Sequence, residues 1–209
     1  MKFYDCQTAP SPRRVRMFIA EKGLEVPTVQ VNLREREQLS DWFVAINPLA
    51  TVPVLVTDDG RALTSTVGCR AYIEALNPEP PLLGRTALEK GRIADLVCTI
   101  ESNGLAAMAE TLRNSAKGMK DRAVTGPDDY AQIPELAERG RTRVLRFLPR
   151  LDQLIGDQAF IAGDALSAAD IDAFVFVEFI QWVKLTVPDD CRNILRWHEA
   201  MRARASAAV

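Results

Sequence analysis

Between Asn77 and Pro81 the chain runs Asn-Pro-Glu-Pro-Pro, three prolines in five residues, and no regular element can pass through it. Proline lacks an amide hydrogen, ends helices and breaks sheet ladders, and a cluster of prolines makes a stiff, extended spacer. The two flanks differ in kind: upstream, strand-like and helical patterns alternate, whereas downstream only helical periodicity is legible. The sequence therefore predicts two domains, residues 1–76 and 87–209, joined by a linker over 77–86.

In the first domain, Lys2 to Cys6 suits a short strand that Pro10 and Pro12 stop. A helix is expected from about Pro12, with Val15, Phe18 and Ile19 at i, i+3 and i+4 and Gly23 at its C-terminal cap. Val26 to Leu33 reads as a second strand, and Arg34 to Glu37 as a charged loop. Ser40-Asp41 can cap a short helix that Asn47-Pro48 ends. Val52 to Thr57 and Arg61 to Leu63 flank the turn Asp58-Asp59-Gly60 as a hairpin, and a third helix runs from about Ser65 to Leu76. That order suits a small mixed sheet covered by helices.

In the second domain, Thr86 to Ala116 reads as one long helix, Gly118 to Pro134 as a loop, and Glu135 to Ile155 as a helix despite Pro149. Two more helices are expected from about Ser167 and Asp189. Ser167 stands three before Asp170, the spacing of a capping box, and the segment from Phe174 to Ile180 is apolar nearly all round, as in a central buried helix.

Composition excludes several function classes. Lys and Arg total 26 against 28 Asp and Glu, so no net positive field favours a phosphate backbone, and nucleic acid is not an expected partner. No apolar run approaches the length needed to cross a bilayer, and Met1-Lys2-Phe3-Tyr4-Asp5 does not resemble a signal peptide, which predicts a cytoplasmic protein without membrane association. Cys6, Cys69, Cys98 and Cys191 form no C-x-x-C pair, so neither a disulfide nor a zinc pair is expected. The single histidine, His198, cannot supply a catalytic zinc cluster and reads as part of the last amphipathic helix. No two of the 11 glycines are closer than seven positions, which rules out both glycine-rich phosphate-loop patterns.

Taken in order, Ala9-Pro10-Ser11-Pro12-Arg13-Arg14-Val15-Arg16, Asn47-Pro48 with Thr51-Val52-Pro53-Val54-Leu55, Thr64-Ser65-Thr66, and Ser167-Ala168-Ala169-Asp170 resemble a cytosolic glutathione transferase of bacterial type across nearly the whole chain. The resemblance implies an α/β thioredoxin-like first domain, an all-α second domain, glutathione as cosubstrate, a small hydrophobic electrophile as second substrate, and a homodimer formed through the long helix from Thr86. From the residues themselves, no metal is expected. The resemblance implies a thiolate-activating enzyme. Related chemistries on the same platform are ether cleavage, peroxide reduction, isomerisation and disulfide reduction, and a binding or regulatory module without turnover is the alternative of another class.

The resemblance also implies site residues. A cis Val52-Pro53 bond would turn the Val52 backbone groups toward the cysteinyl unit of glutathione, like a strand edge. Ser65 at the start of the third helix would hold the γ-glutamyl carboxylate, with Thr64 where the family usually carries an acidic residue. Gln38 would reach the glycine carboxylate. The usual thiol-activating position is occupied by Ala9, so Ser11 and then Thr8 are the candidate sulfur contacts, with Tyr4 and Cys6 behind them.

Overall fold

A computed structural model describes all residues, 1–209. The chain divides into two compact units, one comprising residues 1–80 with Thr125–Asp128 and Val209, the other Pro81–Val124 with Asp129–Ala208.

The first unit is a four-stranded mixed sheet covered by helices. β1 is Lys2–Asp5, α1 Pro10–Glu21, β2 Thr28–Gln30, α2 Asp41–Val44, β3 Val54–Val56, β4 Ala62–Leu63 and α3 Thr66–Leu76. The strand order is β2-β1-β3-β4. β1 and β2 are parallel because α1 carries the chain back between them, while β3 pairs antiparallel with both β1 and β4. Alternation along β1 sorts its side chains: Tyr4, opposite Val54, joins Val31 and Phe43 in the core under α2. Phe3 and Asp5 take the other face, where Asp5 meets Arg16 of α1.

Two expectations shift here. The second strand is shorter than Val26 to Leu33, and α1 starts at Pro10 rather than Pro12, with Ala9 in the N-cap position. Both prolines fit because the amides of a first turn have no intrahelical partner. At the other end of α1 the buried Lys22 ammonium donates to the carbonyls of Asn77 (2.7 Å) and Pro80 (2.5 Å) and pairs with Glu74, which ties the start of the proline-rich connector to this unit.

The second unit is helical: α4 Ala87–Ile100, α5 Ala106–Ser115, α6 Pro134–Ile155, α7 Ala168–Phe179 and α8 Arg192–Arg202. The long helix expected over Thr86 to Ala116 is divided by a π-helical turn at Glu101–Leu105. The turn sets Gly104 against the Phe147 and Phe176 rings, where a Cβ would stand 3.0–3.1 Å from ring carbons. It also leaves the Ser102 carbonyl to accept from Arg143 (2.5 Å). Gly140 permits a second close approach, since a Cβ there would lie 2.7 Å from the Ala107 carbonyl oxygen of α5. At α7 the capping box of Ser167 and Asp170 is formed, and Pro149 is accommodated inside α6. No helix is long and apolar enough to cross a membrane.

Glu110 of α5 gathers Arg139 and Arg143 of α6. Burial pushes its carboxyl up, but the hydrogen bonds from the two arginines outweigh burial and hold it below the ordinary glutamate value of 4.5. A depressed folded value means stability present above about pH 4.5 and lost as pH falls through the folded value. Glu110→Gln is therefore expected to flatten the acid limb of the unfolding-midpoint profile; a limb as steep as that of the wild type would show the pairs contribute nothing.

Candidate functional site

The first turn of α1 is unusual in its donors. Pro10 and Pro12 carry no amide hydrogen, and the Arg13 N–H bonds back to the Ala9 carbonyl at 3.3 Å. Ser11 is left with the one uncommitted N–H of the turn, beside its own half-buried hydroxyl and at the positive end of the helix dipole. An anion placed there meets two donors from one residue.

α3 begins beside it. Ser65 is the N-cap and its hydroxyl accepts from the Gly68 N–H at 3.0 Å, so this exposed serine helps start the helix. The next residue, Thr66, is the first of the helix, and the Thr66 and Val67 amides have no backbone partner. Buried Thr66 links the two helices: its hydroxyl lies 3.5 Å from the Ser11 carbonyl and 3.4 Å from an Arg14 guanidinium nitrogen. Thr64 precedes them, half-buried.

Val52 lies outside the ladder, which begins at Val54 opposite Tyr4. Neither its N–H nor its carbonyl has a backbone partner, and the Val52-Pro53 bond is cis. Asn47 braces the approach to Val52. Fully buried, it donates from Nδ2 to the Thr51 carbonyl (2.8 Å) and accepts from the Leu49 amide (3.0 Å). Gln38 sits in the tight turn Glu37–Leu39; it is buried rather than solvated, and its Oε1 has no hydrogen-bond partner.

The remaining candidates part company with this group. Thr8 is exposed, with its hydroxyl 3.5 Å from the Cys6 sulfur. Cys6 itself is buried, and Tyr4 is a core residue between Trp42 and Phe43, with ring centroids at 6.2 and 6.3 Å. Burial pushes the Cys69 thiol up to about 12, which keeps it protonated.

Hydrogen bonds thus join Ser11, Arg14 and Thr66, while Val52, Gln38 and Thr8 stand on separate turns. Sequence reasoning missed Thr66. It had a signal, being a second hydroxyl at a helix start, and its partner Arg14 shares the buried face of α1 with Phe18, four residues on.

Comparison with known proteins agrees with this architecture. The family model for the glutathione S-transferase N-terminal domain matches residues 8–76, and that for the C-terminal domain matches 110–205. The chain is 33% identical over 209 residues to glutathione S-transferase 2 of Saccharomyces cerevisiae, covering 99% of this chain and 87% of that protein. It is 30% identical over 177 residues to maleylacetoacetate isomerase of Pseudomonas aeruginosa, covering 82% and 77% respectively. The crystal structure of Gtt2 from Saccharomyces cerevisiae superposes with a TM-score of 0.90 at 32% identity, covering 100% of this chain and 99% of that one. A thioredoxin-like α/β unit followed by a helical one, with both family models and relatives matched almost end to end, places this chain in the glutathione S-transferase family, as an enzyme that uses glutathione as cosubstrate.

Proposed function

We propose that the first unit binds glutathione with its sulfur at the start of α1, stabilises the thiolate through Ser11, and directs it to a hydrophobic electrophile. The observation that carries this reading is the paired N–H and hydroxyl of Ser11 in a turn whose other amides are missing or committed. Val52 pairs with the cysteinyl backbone, Pro53 fixes the approach, and Gln38 offers its amide to the glycine carboxylate. The γ-glutamyl end rests at the start of α3, where Thr64 and Ser65 border it and the Thr66 amide, backed by Arg14, faces its carboxylate. Loss of the thiol proton to solvent leaves a thiolate whose electron pair forms the carbon–sulfur bond as the leaving group departs with its own pair, or as an electrophilic double bond takes it up.

Magnitudes are consistent with one residue sufficing. A thiol of pKa about 8.5 needs about 2.7 kcal/mol of preference for its anion to fall two units. A hydrogen bond to a charged acceptor supplies roughly 1.5–3 kcal/mol, and a helix N-terminus another ~0.3–1.

The same reading takes residues 77–86 as the linker between the domains, and the protein as a cytoplasmic homodimer that associates through the face of α4. The test is the pH titration of thiolate absorbance for bound glutathione, alongside conjugation of a chloroarene. Ser11→Ala is expected to raise the bound thiol pKa by about one to two units and lower kcat/KM roughly 10- to 100-fold below that pKa. Thr8→Ala has the smaller effect, because its hydroxyl already faces Cys6. A Ser11→Ala protein with the wild-type titration would remove Ser11 from the sulfur.

A further inference from the structure

Asp5, at the end of β1, is fully buried, and a buried carboxylate is costly unless it is fully partnered. Arg16 of α1 donates to its Oδ1 at 2.6 Å, and Gln30 of β2 donates from Nε2 to its Oδ2 at 2.7 Å. Each of these partners then reaches with its other arm to the same residue. The second Arg16 terminal nitrogen donates to the Gln7 carbonyl at 3.3 Å, and Gln30 Oε1 accepts the Gln7 N–H at 3.0 Å. Arg16 Nε is left without a partner, so its guanidinium is oriented by Asp5 and Gln7 alone.

Gln7 is not an arbitrary target. Ala9 N–H bonds to the Cys6 carbonyl at 2.9 Å, closing a four-residue turn in which Gln7 and Thr8 are the central residues. That turn feeds Ala9 into the N-cap position of α1, where alanine has no side chain to fix the helix start. In most helices a capping side chain does that fixing. Here both polar backbone atoms of Gln7 are held instead, from one buried carboxylate, by side chains of two different elements. A buried ion pair generally adds little stability over an apolar replacement, so stability does not account for the arrangement.

We propose that Asp5, through Arg16 and Gln30, is a positioning residue that fixes the Gln7–Ala9 turn and so sets where the α1 terminus presents Ser11 to the glutathione sulfur. This rests on the thiolate reading above and adds a frame to it. Asp5, Arg16 and Gln30 touch neither glutathione nor the electrophile. They act by holding the donor in place, and a displacement of about 1 Å at a reacting group costs up to about 100-fold in rate.

The test uses Gln30→Leu and Arg16→Lys in the full chain. Gln30 is exposed on an edge strand, so its replacement removes both of its bonds without opening the core. Lysine at 16 keeps a cation against Asp5 but cannot also span to Gln7. Each variant is expected to lower the unfolding midpoint by no more than about 10 °C, so that it stays folded at assay temperature, and to keep KM for glutathione within about twofold. Each is also expected to lose about tenfold in kcat and move its pH profile to higher pH. Wild-type kcat and pH profile in both variants would overturn the positioning role while leaving the thiolate reading intact. Rescue by Arg16→Lys would also overturn it, since a plain ion pair would then be enough. A wild-type protein that neither binds glutathione nor turns over the chloroarene would overturn the thiolate reading and this role with it.

Discussion

Asp170→Ala is expected to lose at least about 4 kcal/mol of folding stability, because three buried N–H groups and a hydroxyl lose their acceptor together and an unsatisfied buried donor costs about 1–3 kcal/mol. The Asp170 carboxylate accepts from the Ile161 amide (2.8 Å), the Trp197 indole (3.1 Å), and both the amide and hydroxyl of Ser167 (3.0 Å each). One side chain thus fastens the start of α7, the segment before it and α8. Burial pushes the carboxyl up against the pull of these four donors, so the site carries the cost of a desolvated charge as well as the gain of its bonds. Asp170→Asn avoids that charge and keeps one acceptor oxygen, and an intermediate loss is expected. Urea unfolding measures both. With total stability of about 5–15 kcal/mol for a typical protein, the alanine variant is expected to be largely unfolded or insoluble near 37 °C, with transferase activity lost alongside. A loss below about 1 kcal/mol would mean that water or a rearranged side chain satisfies the donors.

The same residue shows what a sequence can disclose. Ser167 and Asp170 are three apart, their bonds are local, and the capping box was legible from spacing alone. The sheet-then-helix order was legible for the same reason, since turn and period signals act over a few residues. The π-helical turn at Glu101–Leu105 was not. It depends on Gly104 meeting the Phe147 and Phe176 rings, contacts made across 43 and 72 positions that no local pattern encodes. Asp5 was hidden likewise: its partners lie 11 and 25 residues away, so on the sequence it is one more polar residue in a short strand. Ser11 was named from its neighbourhood to Ala9. Its physical distinction, a lone free amide between two prolines, emerged only when α1 proved to start at Pro10.

The start of α3 offers the sharpest test of the glutathione site, because backbone and side chain can be separated there. Proline at the first position of a helix costs little, since the amide it lacks has no partner within the helix. Ser65, the preceding residue, already has the extended conformation (φ −125°, ψ 150°) that proline demands of its neighbour. Thr66→Pro is therefore expected to preserve α3 while deleting the N–H assigned to the γ-glutamyl carboxylate. Thr66→Ala, which keeps the N–H and removes only the hydroxyl between Arg14 and Ser11, supplies the control. The loss of one hydrogen bond to a charged group, about 1.5–3 kcal/mol, corresponds to roughly 10- to 150-fold weaker glutathione binding in the proline variant. Titration calorimetry is expected to show that weakening for Thr66→Pro beyond whatever Thr66→Ala loses, with α-helical circular dichroism unchanged in both. Equal affinities for the two variants would place the γ-glutamyl carboxylate away from the Thr66 amide. An anion held by a helix terminus answers to the amide hydrogen itself, and a substitution that removes only this hydrogen from an intact helix separates that mechanism from binding by side-chain hydroxyls.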